Sequence, residues 1–347
     1  MSCWLALPTM LSLMSTVTFA NAVKCRDTDY IDFLIASPRS FTCTEAASVQ
    51  PESSPPPAHD AFTRLLHRLE PDPETLWREA QPMVYRKGGV LVLDDSTLDK
   101  PYAKKMGLVA RHWSGKHKAV VRGINLITLV WTDGDRIVPC DYRVYDKVND
   151  GLTKNDHFLA MLREAKARGF EPTCVAFDSW YSGLENLKAV RDCGWTFLTQ
   201  LKANRRVNPG RQGLRPVAEA GIEPGGTVVW LEGFGEVRVF KVVSQDGDIE
   251  YWVTNDLPMD ELTRLAHAEW CWVIEEYHRA LKQCCGVERA QVRAGRAQRN
   301  HIGLAIRAFL RLSHHFFTTG ISWYEAKARI VRDAVRAYIA QPLYGLS

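Results

Sequence analysis

The alternation of apolar and polar positions divides the chain into a helical beginning, a strand-rich middle and a helical end. Asp29 to Leu34 reads as a short helix, and Thr42, Thr44 and Ala46 read as a break after it. A Pro-rich stretch runs from Pro51 to Pro57. Beyond it Phe62, Leu65, Leu66 and Leu69 recur at helical spacing, which predicts a helix over His59 to Leu69. From Gly89 the pattern changes. An unbroken apolar run to Leu93 closes on Asp94-Asp95, and two more strands follow over Gly123–Trp131 and Ile137–Tyr145, joined by the turn Asp133-Gly134-Asp135. A helix is expected from Lys154 to Arg168, stopped by Gly169. Thr173–Phe177 is a fourth strand that runs into Asp178. Leu184–Asp192 is a helix ended by Gly194, and Thr196–Leu201 is a fifth strand.

The resulting order, β-β-β-α-β-α-β with an antiparallel start, is that of a ribonuclease-H-like mixed sheet with flanking helices; a doubly wound domain would alternate strand and helix from its beginning. After Leu201, turns at Pro209-Gly210 and Pro224-Gly225-Gly226 separate short alternating segments, Val228–Leu231, Glu236–Val243 and Ile249–Thr254, which predict a small β insertion. One long amphipathic helix is expected from Glu261 to Cys284, with further helices to the end. The organisation predicted is a helical region over 1–85, the first part of an α/β core over 86–202, the insertion over 203–256, the second part of the core over 257–315 and a C-terminal helical region over 316–347. Helix, turn and helix near the start suggest a small DNA-binding module.

Composition adds limits. An apolar fraction of 46% and a charged fraction of 24% are those of an ordinary globular protein. No apolar run approaches the ~20 residues of a membrane span. The net charge of +4 is slight, but the cations are clustered. Lys100 to Arg122 contains Lys104, Lys105 and Lys116 and no acid; Lys202, Arg205, Arg206, Arg211 and Arg215 form a second acid-free stretch. Arg279, Lys282, Arg289, Arg293, Arg296, Arg299 and Arg307 form a third, interrupted by Glu288. Such stretches can follow a phosphate backbone. The nine cysteines show no framework spacing and no C-x2-C pair, which suits reduced thiols in the cytoplasm better than disulfides or a zinc ribbon. Residues 1 to 22 end in Ala20-Asn21-Ala22, as a secretory leader does, but no Lys or Arg precedes Lys24; an amphipathic helix is the expectation. Motifs of serine hydrolases, zinc proteases and phosphate-binding loops do not occur.

The chemistry the acids permit follows from their placement. Cutting a phosphodiester calls for an activated oxygen nucleophile and charge stabilisation on the leaving oxygen, which two Mg2+ ions supply together. Mg2+ takes oxygen ligands and few protein carboxylates. Asp94 or Asp95 ends the first strand, Asp178 follows the fourth and Glu275 lies on the long helix. On that helix Trp270, Ile274, Tyr277 and Leu281 form an apolar stripe, and Glu275, His278 and Lys282 an adjoining polar face from which Lys282 reaches a phosphate.

Three blocks carry a resemblance. They are Val90-Leu91-Val92-Leu93-Asp94-Asp95-Ser96, Ala176-Phe177-Asp178-Ser179-Trp180-Tyr181-Ser182, and the segment from Trp272 to Gln283. With them the chain resembles the DDE transposases of bacterial insertion sequences, in the branch with a β insertion before the final Glu. The resemblance implies Asp95, Asp178 and Glu275 as the catalytic, metal-holding acids, with two Mg2+ ions that Mn2+ can replace. It implies double-stranded DNA as partner, at transposon ends and target, and a homodimer in the synaptic complex. It places the protein in the cytoplasm, at the nucleoid, away from membranes. DNA contacts are expected from Lys282, His278, Arg279, Lys104, Lys105, Lys116, Arg205 and Arg206. Trp180 and Trp272 are candidates for stacking a flipped base. The family's Y-x2-R-x3-E-x6-K signature is met at Glu275 and Lys282, whereas its Tyr position holds Ala268 and its Arg position Cys271. A thiol does not replace a guanidinium on a phosphate. That leaves Arg264, Arg279 or another cation to take the role, or a weakened, transposase-derived DNA-binding protein; a structure-selective nuclease of the same fold is the other alternative.

Overall fold

The computed structural model describes residues 25–51, 56–115, 117–244 and 246–344. The helix expected over residues 1 to 22, part of the Pro-rich stretch and Lys116 lie outside them. The chain opens with α1 (Asp27–Ala36), α2 (Cys43–Ser48), α3 (His59–Arg68) and α4 (Pro73–Ala80). Where a break was expected, α2 forms because Thr42 caps it, its hydroxyl accepting from the Glu45 amide. In α4 Asp72 caps and Pro73 occupies the first turn, where a missing N–H costs nothing.

The strands are β1 (Val90–Asp99), β2 (Ala110–Ser114), β3 (Ala119–Thr132) and β4 (Ile137–Tyr145). After α5 (Lys154–Ala167) come β5 (Cys174–Phe177), α6 (Leu184–Asp192) and β6 (Phe197–Leu201). Next are β7 (Arg206–Pro209), β8 (Arg215–Pro216), β9 (Thr227–Leu231), β10 (Gly235–Val243) and β11 (Ile249–Thr254). The chain continues in α7 (Glu261–Cys271), α8 (Val273–Cys284), α9 (Gly295–Thr319) and α10 (Trp323–Ala340). The mixed α/β architecture is the expected ribonuclease-H-like one: β1 pairs antiparallel with β3 and parallel with β5, and β5 pairs parallel with β6. The path of the sheet is β2-β3-β1-β5-β6-β11-β10-β9-β7-β8, and β4 pairs with the stretch Asn125–Thr132 of β3. The segments of the insertion therefore extend the same sheet, through the β11–β6 pair.

Three elements differ from expectation. β1 does not stop at its acids but continues to Asp99, paired with β3 throughout. Gly123 permits this approach, since a Cβ there would lie 2.5 Å from the Thr97 methyl. The basic run around His112 is the edge strand β2, with His112 and Ser114 inward and Arg111 and Trp113 outward. The long helix is two: at Trp272 the bonding tightens to Trp272 N→Glu269 O and Glu275 N→Trp272 O, both 3.1 Å, and α8 starts afresh there.

The helix α9 ties the N-terminal helices to α8 and β4. Asn300 donates to the carbonyls of Leu66 (2.7 Å) and Leu69 (2.8 Å), and Tyr30 bonds His301 at 3.0 Å. Arg307 is nearly buried between Glu79 and Asp27, at 2.6 and 2.8 Å, and Arg311 reaches Glu79 at 3.1 Å. Arg296 and Arg299 are likewise spent on Glu70 and on Asp146 and Asp150. Arg299 and Arg307 of the third basic stretch are thus taken up inside the fold, and Arg296 is paired at the surface, while Arg279, Arg289 and Arg293 stay exposed. Among the described residues no helix is long and apolar enough to cross a membrane.

Partial burial pushes the carboxyl groups of Asp27 and Glu79 up, but the Arg307 and Arg311 guanidinium groups outweigh it and hold both below their ordinary values. A depressed carboxylate contributes stability above its unfolded pKa and loses it as pH falls through the folded one. Glu79→Gln is therefore expected to lower unfolding free energy in urea by about 1–3 kcal/mol at pH 7. The difference from the unaltered chain should shrink below about pH 4, where the carboxylates protonate; a gap independent of pH would show that the charges are immaterial.

Candidate active site

Side chains on adjacent residues of a strand point to opposite faces. Because β1 is buried on both faces, its two consecutive aspartates meet different surroundings. Asp95 turns to the side of α5. Its Oδ2 accepts from Lys154 Nζ at 2.7 Å and Asn125 Nδ2 at 2.6 Å, and its Oδ1 from the Tyr181 hydroxyl at 2.9 Å. Burial acts to raise its pKa, but Lys154 and the hydrogen bonds prevail and hold it low. Asp95 is a satisfied, ionised carboxylate.

Asp94 turns to the side of α8. Its nearest cation candidate is the His278 imidazole, with Nδ1 3.9 Å from Oδ2. Burial pushes its carboxyl well above the usual range, and the negative charges of Asp95, Asp178 and Glu275 add to the push. Asp178 is exposed just past the end of β5, and Glu275 is exposed in the first turn of α8. Asp94 is the β1 acid whose carboxyl feels the charges of Asp178 and Glu275, while Asp95 is paired with Lys154 at 2.7 Å.

Among the described residues no three His, Cys, Asp or Glu side chains are gathered closely enough to hold a metal ion unaided. The donor set nonetheless suits a hard divalent cation: all oxygens, two of the three acids open to solvent, and the third repelled by the others. Mg2+ keeps several waters and completes its shell with substrate phosphates rather than with a full protein cage.

The expected DNA contacts fall into three groups. Lys104, Lys105, Arg206 and Arg279 are exposed, and Arg205 is half-buried. Lys282 is half-buried and engaged, 3.2 Å from Glu288 and donating to the Thr97 carbonyl at 3.1 Å. His278 is a correction. It is buried under α8, and burial, helped by Lys282, lowers its pKa to about 3, so it offers a phosphate neither charge nor access. Trp180 and Trp272 are exposed at 58% and 60%, unlike core indoles. Trp180 has Lys154 at 5.8 Å and Lys202 at 5.9 Å from its ring. Asn125, Lys154 and Tyr181 carry no signal in the sequence; only the fold brings them to Asp95.

Cys271, in the family's Arg position, packs against the core, its thiol donating to the His267 carbonyl at 3.0 Å. A guanidinium in its place would start from the inward side of α7. Of the cations considered for that role, Arg264 is buried, 5.8 Å from the Phe240 ring, whereas Arg279 is exposed on α8.

A mixed sheet in this strand order, with helices on its flanks, is the ribonuclease-H-like fold. The family model described as DDE superfamily endonuclease matches residues 40–225, which include Asp94, Asp95 and Asp178. The chain belongs to that family. Among solved structures, the piggyBac transposase synaptic complex with hairpin DNA is similar at a TM-score of 0.50 and 11% identity, over 93% of this chain and 73% of that one. The Drosophila P element transposase strand transfer complex aligns at a TM-score of 0.29 and 11% identity, over 55% of this chain and 47% of that one, too little to bear on the fold. No curated protein sequence matches.

Burial pushes the Cys271 thiol up to about 12. Thiolate is the reactive form, so Cys271 in the folded protein should resist iodoacetamide at pH 8 and be alkylated rapidly in urea. Peptide mass mapping checks this; prompt labelling of the folded chain would contradict the inward placement.

Proposed function

We propose that the chain is a DNA transposase that cuts at the terminal inverted repeats of an insertion sequence and joins the freed 3′-hydroxyl to target DNA. What supports this reading is membership of the DDE superfamily endonucleases, together with an acid at the buried end of β1, Asp94, that feels the charges of Asp178 and Glu275. Asp94, Asp178 and Glu275 are the residues that would hold two Mg2+ ions, with Mn2+ as a substitute. Bound there, such ions supply an activated oxygen nucleophile and stabilise charge on the leaving oxygen. Asp94 would give a ligand fixed by the strand, while the exposed Asp178 and Glu275 are free to adjust as the scissile phosphate arrives.

The surrounding cations suit a DNA backbone. Lys104, Lys105, Arg206 and Arg279 are the exposed set, and Lys282 joins them once a phosphate replaces Glu288 as its partner. Trp180 and Trp272 are exposed beside the acids and would suit stacking an unpaired base, Trp180 once Lys154 and Lys202 move from its ring. The partner is then double-stranded DNA, at element ends and target, bound by a homodimer in the synaptic complex. The site of action is the bacterial cytoplasm, at the nucleoid. A second reading, a DNA-binding relative that no longer cuts, is favoured by the inward Cys271 where a phosphate-contacting Arg is expected.

The test is Mn2+- or Mg2+-dependent nicking of a duplex bearing the repeats that flank the gene. Asp178→Ala and Glu275→Ala should each lower the rate by about a thousandfold while gel-shift affinity for the duplex persists. Binding without cutting by the unaltered chain would establish the second reading.

A further inference from the structure

We infer that Asp95 is a positioning residue that fastens the turn bearing Asp178 to the strand bearing Asp94, and so sets the separation of those two acids. The inference rests on the reading of Asp94, Asp178 and Glu275 as the metal-holding mouth. Asp95 is where four pieces of the fold meet. Its own strand is β1; Asn125 comes from β3, Lys154 from the first turn of α5, and Tyr181 from the 3-10 turn Ser179–Tyr181. That turn follows Asp178 directly, and Asp178 caps it.

The backbone of the turn is held by Asn186 Nδ2, donating to the Tyr181 carbonyl at 2.9 Å, and by the Ser182 hydroxyl, donating to the Ser179 carbonyl at 2.7 Å. Of its side chains Trp180 is exposed and Ser179 half-buried, so Tyr181, fully buried, is the one that ties it to the sheet. Its ring stacks on Phe158 with centroids 5.2 Å apart and planes at 19°. Phe158 and Lys154 are four residues apart on α5, hence on one helix face. A single face of α5 therefore grips the turn twice, directly through Phe158 and indirectly through Lys154, which holds the carboxylate that Tyr181 donates to. Lys154 also lies 5.8 Å from the Trp180 ring, beside Asp178.

Charge supports the same assignment. All three hydrogen bonds to Asp95 come from donors, one of them an ammonium at 2.7 Å. A carboxylate so furnished has little left to give a metal ion, and its charge is already balanced. The mouth on the opposite face is left with the charges of Asp94, Asp178 and Glu275. Groups that orient metal ligands in this indirect way commonly matter about 10–100-fold in metal affinity or activity.

The experiment uses the full chain and two readouts: Mn2+ affinity by isothermal titration calorimetry and Mn2+-dependent nicking of supercoiled plasmid. Asp94→Asn should abolish Mn2+ binding at this mouth. Asp95→Asn keeps an oxygen for Lys154 and Asn125 and an amide for the Tyr181 oxygen, and should bind Mn2+ close to normally. Tyr181→Phe keeps the stacked ring but removes the fastening, and should weaken Mn2+ affinity by about tenfold with the nicking rate at saturating Mn2+ largely retained. Loss of Mn2+ binding in Asp95→Asn equal to that in Asp94→Asn would make Asp95 a ligand and overturn the inference. Normal Mn2+ affinity in Tyr181→Phe would overturn it as well, by showing that the fastening positions nothing. Normal Mn2+ binding in Asp94→Asn would instead remove the metal-holding mouth itself, and the role of Asp95 with it.

Discussion

A carboxylate in a sheet interior is costly unless something compensates its charge, and β1 carries two in succession. The pleat gives the pair opposite fates. Asp95 is compensated at once, by an ammonium, an amide and a phenol. Asp94 is not: burial and neighbouring acids push its carboxyl up against the single backbone hydrogen bond it receives from Asp95, and the His278 imidazole lies 3.9 Å away. The rest of the structure is arranged around this asymmetry. The parallel β1–β5 pair brings Asp178 alongside, the restart of the helix at Trp272 brings in Glu275, and α9 holds α8 in place through the Tyr277–Phe309 ring contact at 5.0 Å.

The path from sequence to function therefore runs through packing. β1 and β5 are apolar and buried, so their ends are fixed rather than mobile, and acids placed there are held by the sheet. The more exposed Asp178 and Glu275 are carried by a turn and a helix start. A rigid acid faced by two adjustable ones is a reasonable arrangement for a site whose substrate brings part of the coordination shell. Lys282, meanwhile, rests against Glu288 and the Thr97 carbonyl of β1.

Much of this was legible in the sequence, for identifiable reasons. β4, α5 and α6 start at Ile137, Lys154 and Leu184 as read, because the Asp133-Gly134 turn, the Thr153 cap and the glycines Gly169, Gly183 and Gly194 mark their limits. The choice between Asp94 and Asp95 was not legible. Val90 to Leu93 are buried on both faces, so the run has no period-two signal to say which acid meets which helix. β2 was hidden by an inverted pattern, with Trp113 outward and His112 inward. The spacing of His278 and Glu275 puts them on one polar face, yet His278 is buried with Tyr277 on the inward side of α8. The Asp95 contacts come from residues 30, 59 and 86 positions away, a distance no local pattern spans.

The central claim is that Asp94, Asp178 and Glu275 surround one divalent-cation site. Its most direct test is to load the protein with Fe2+ in place of Mg2+, add ascorbate and peroxide, and map where locally generated hydroxyl radicals cut the polypeptide. Cuts clustered near residues 94, 178 and 275, and suppressed by excess Mg2+, are the result expected. Cuts that fall elsewhere, or that avoid one of the three segments, would contradict the account.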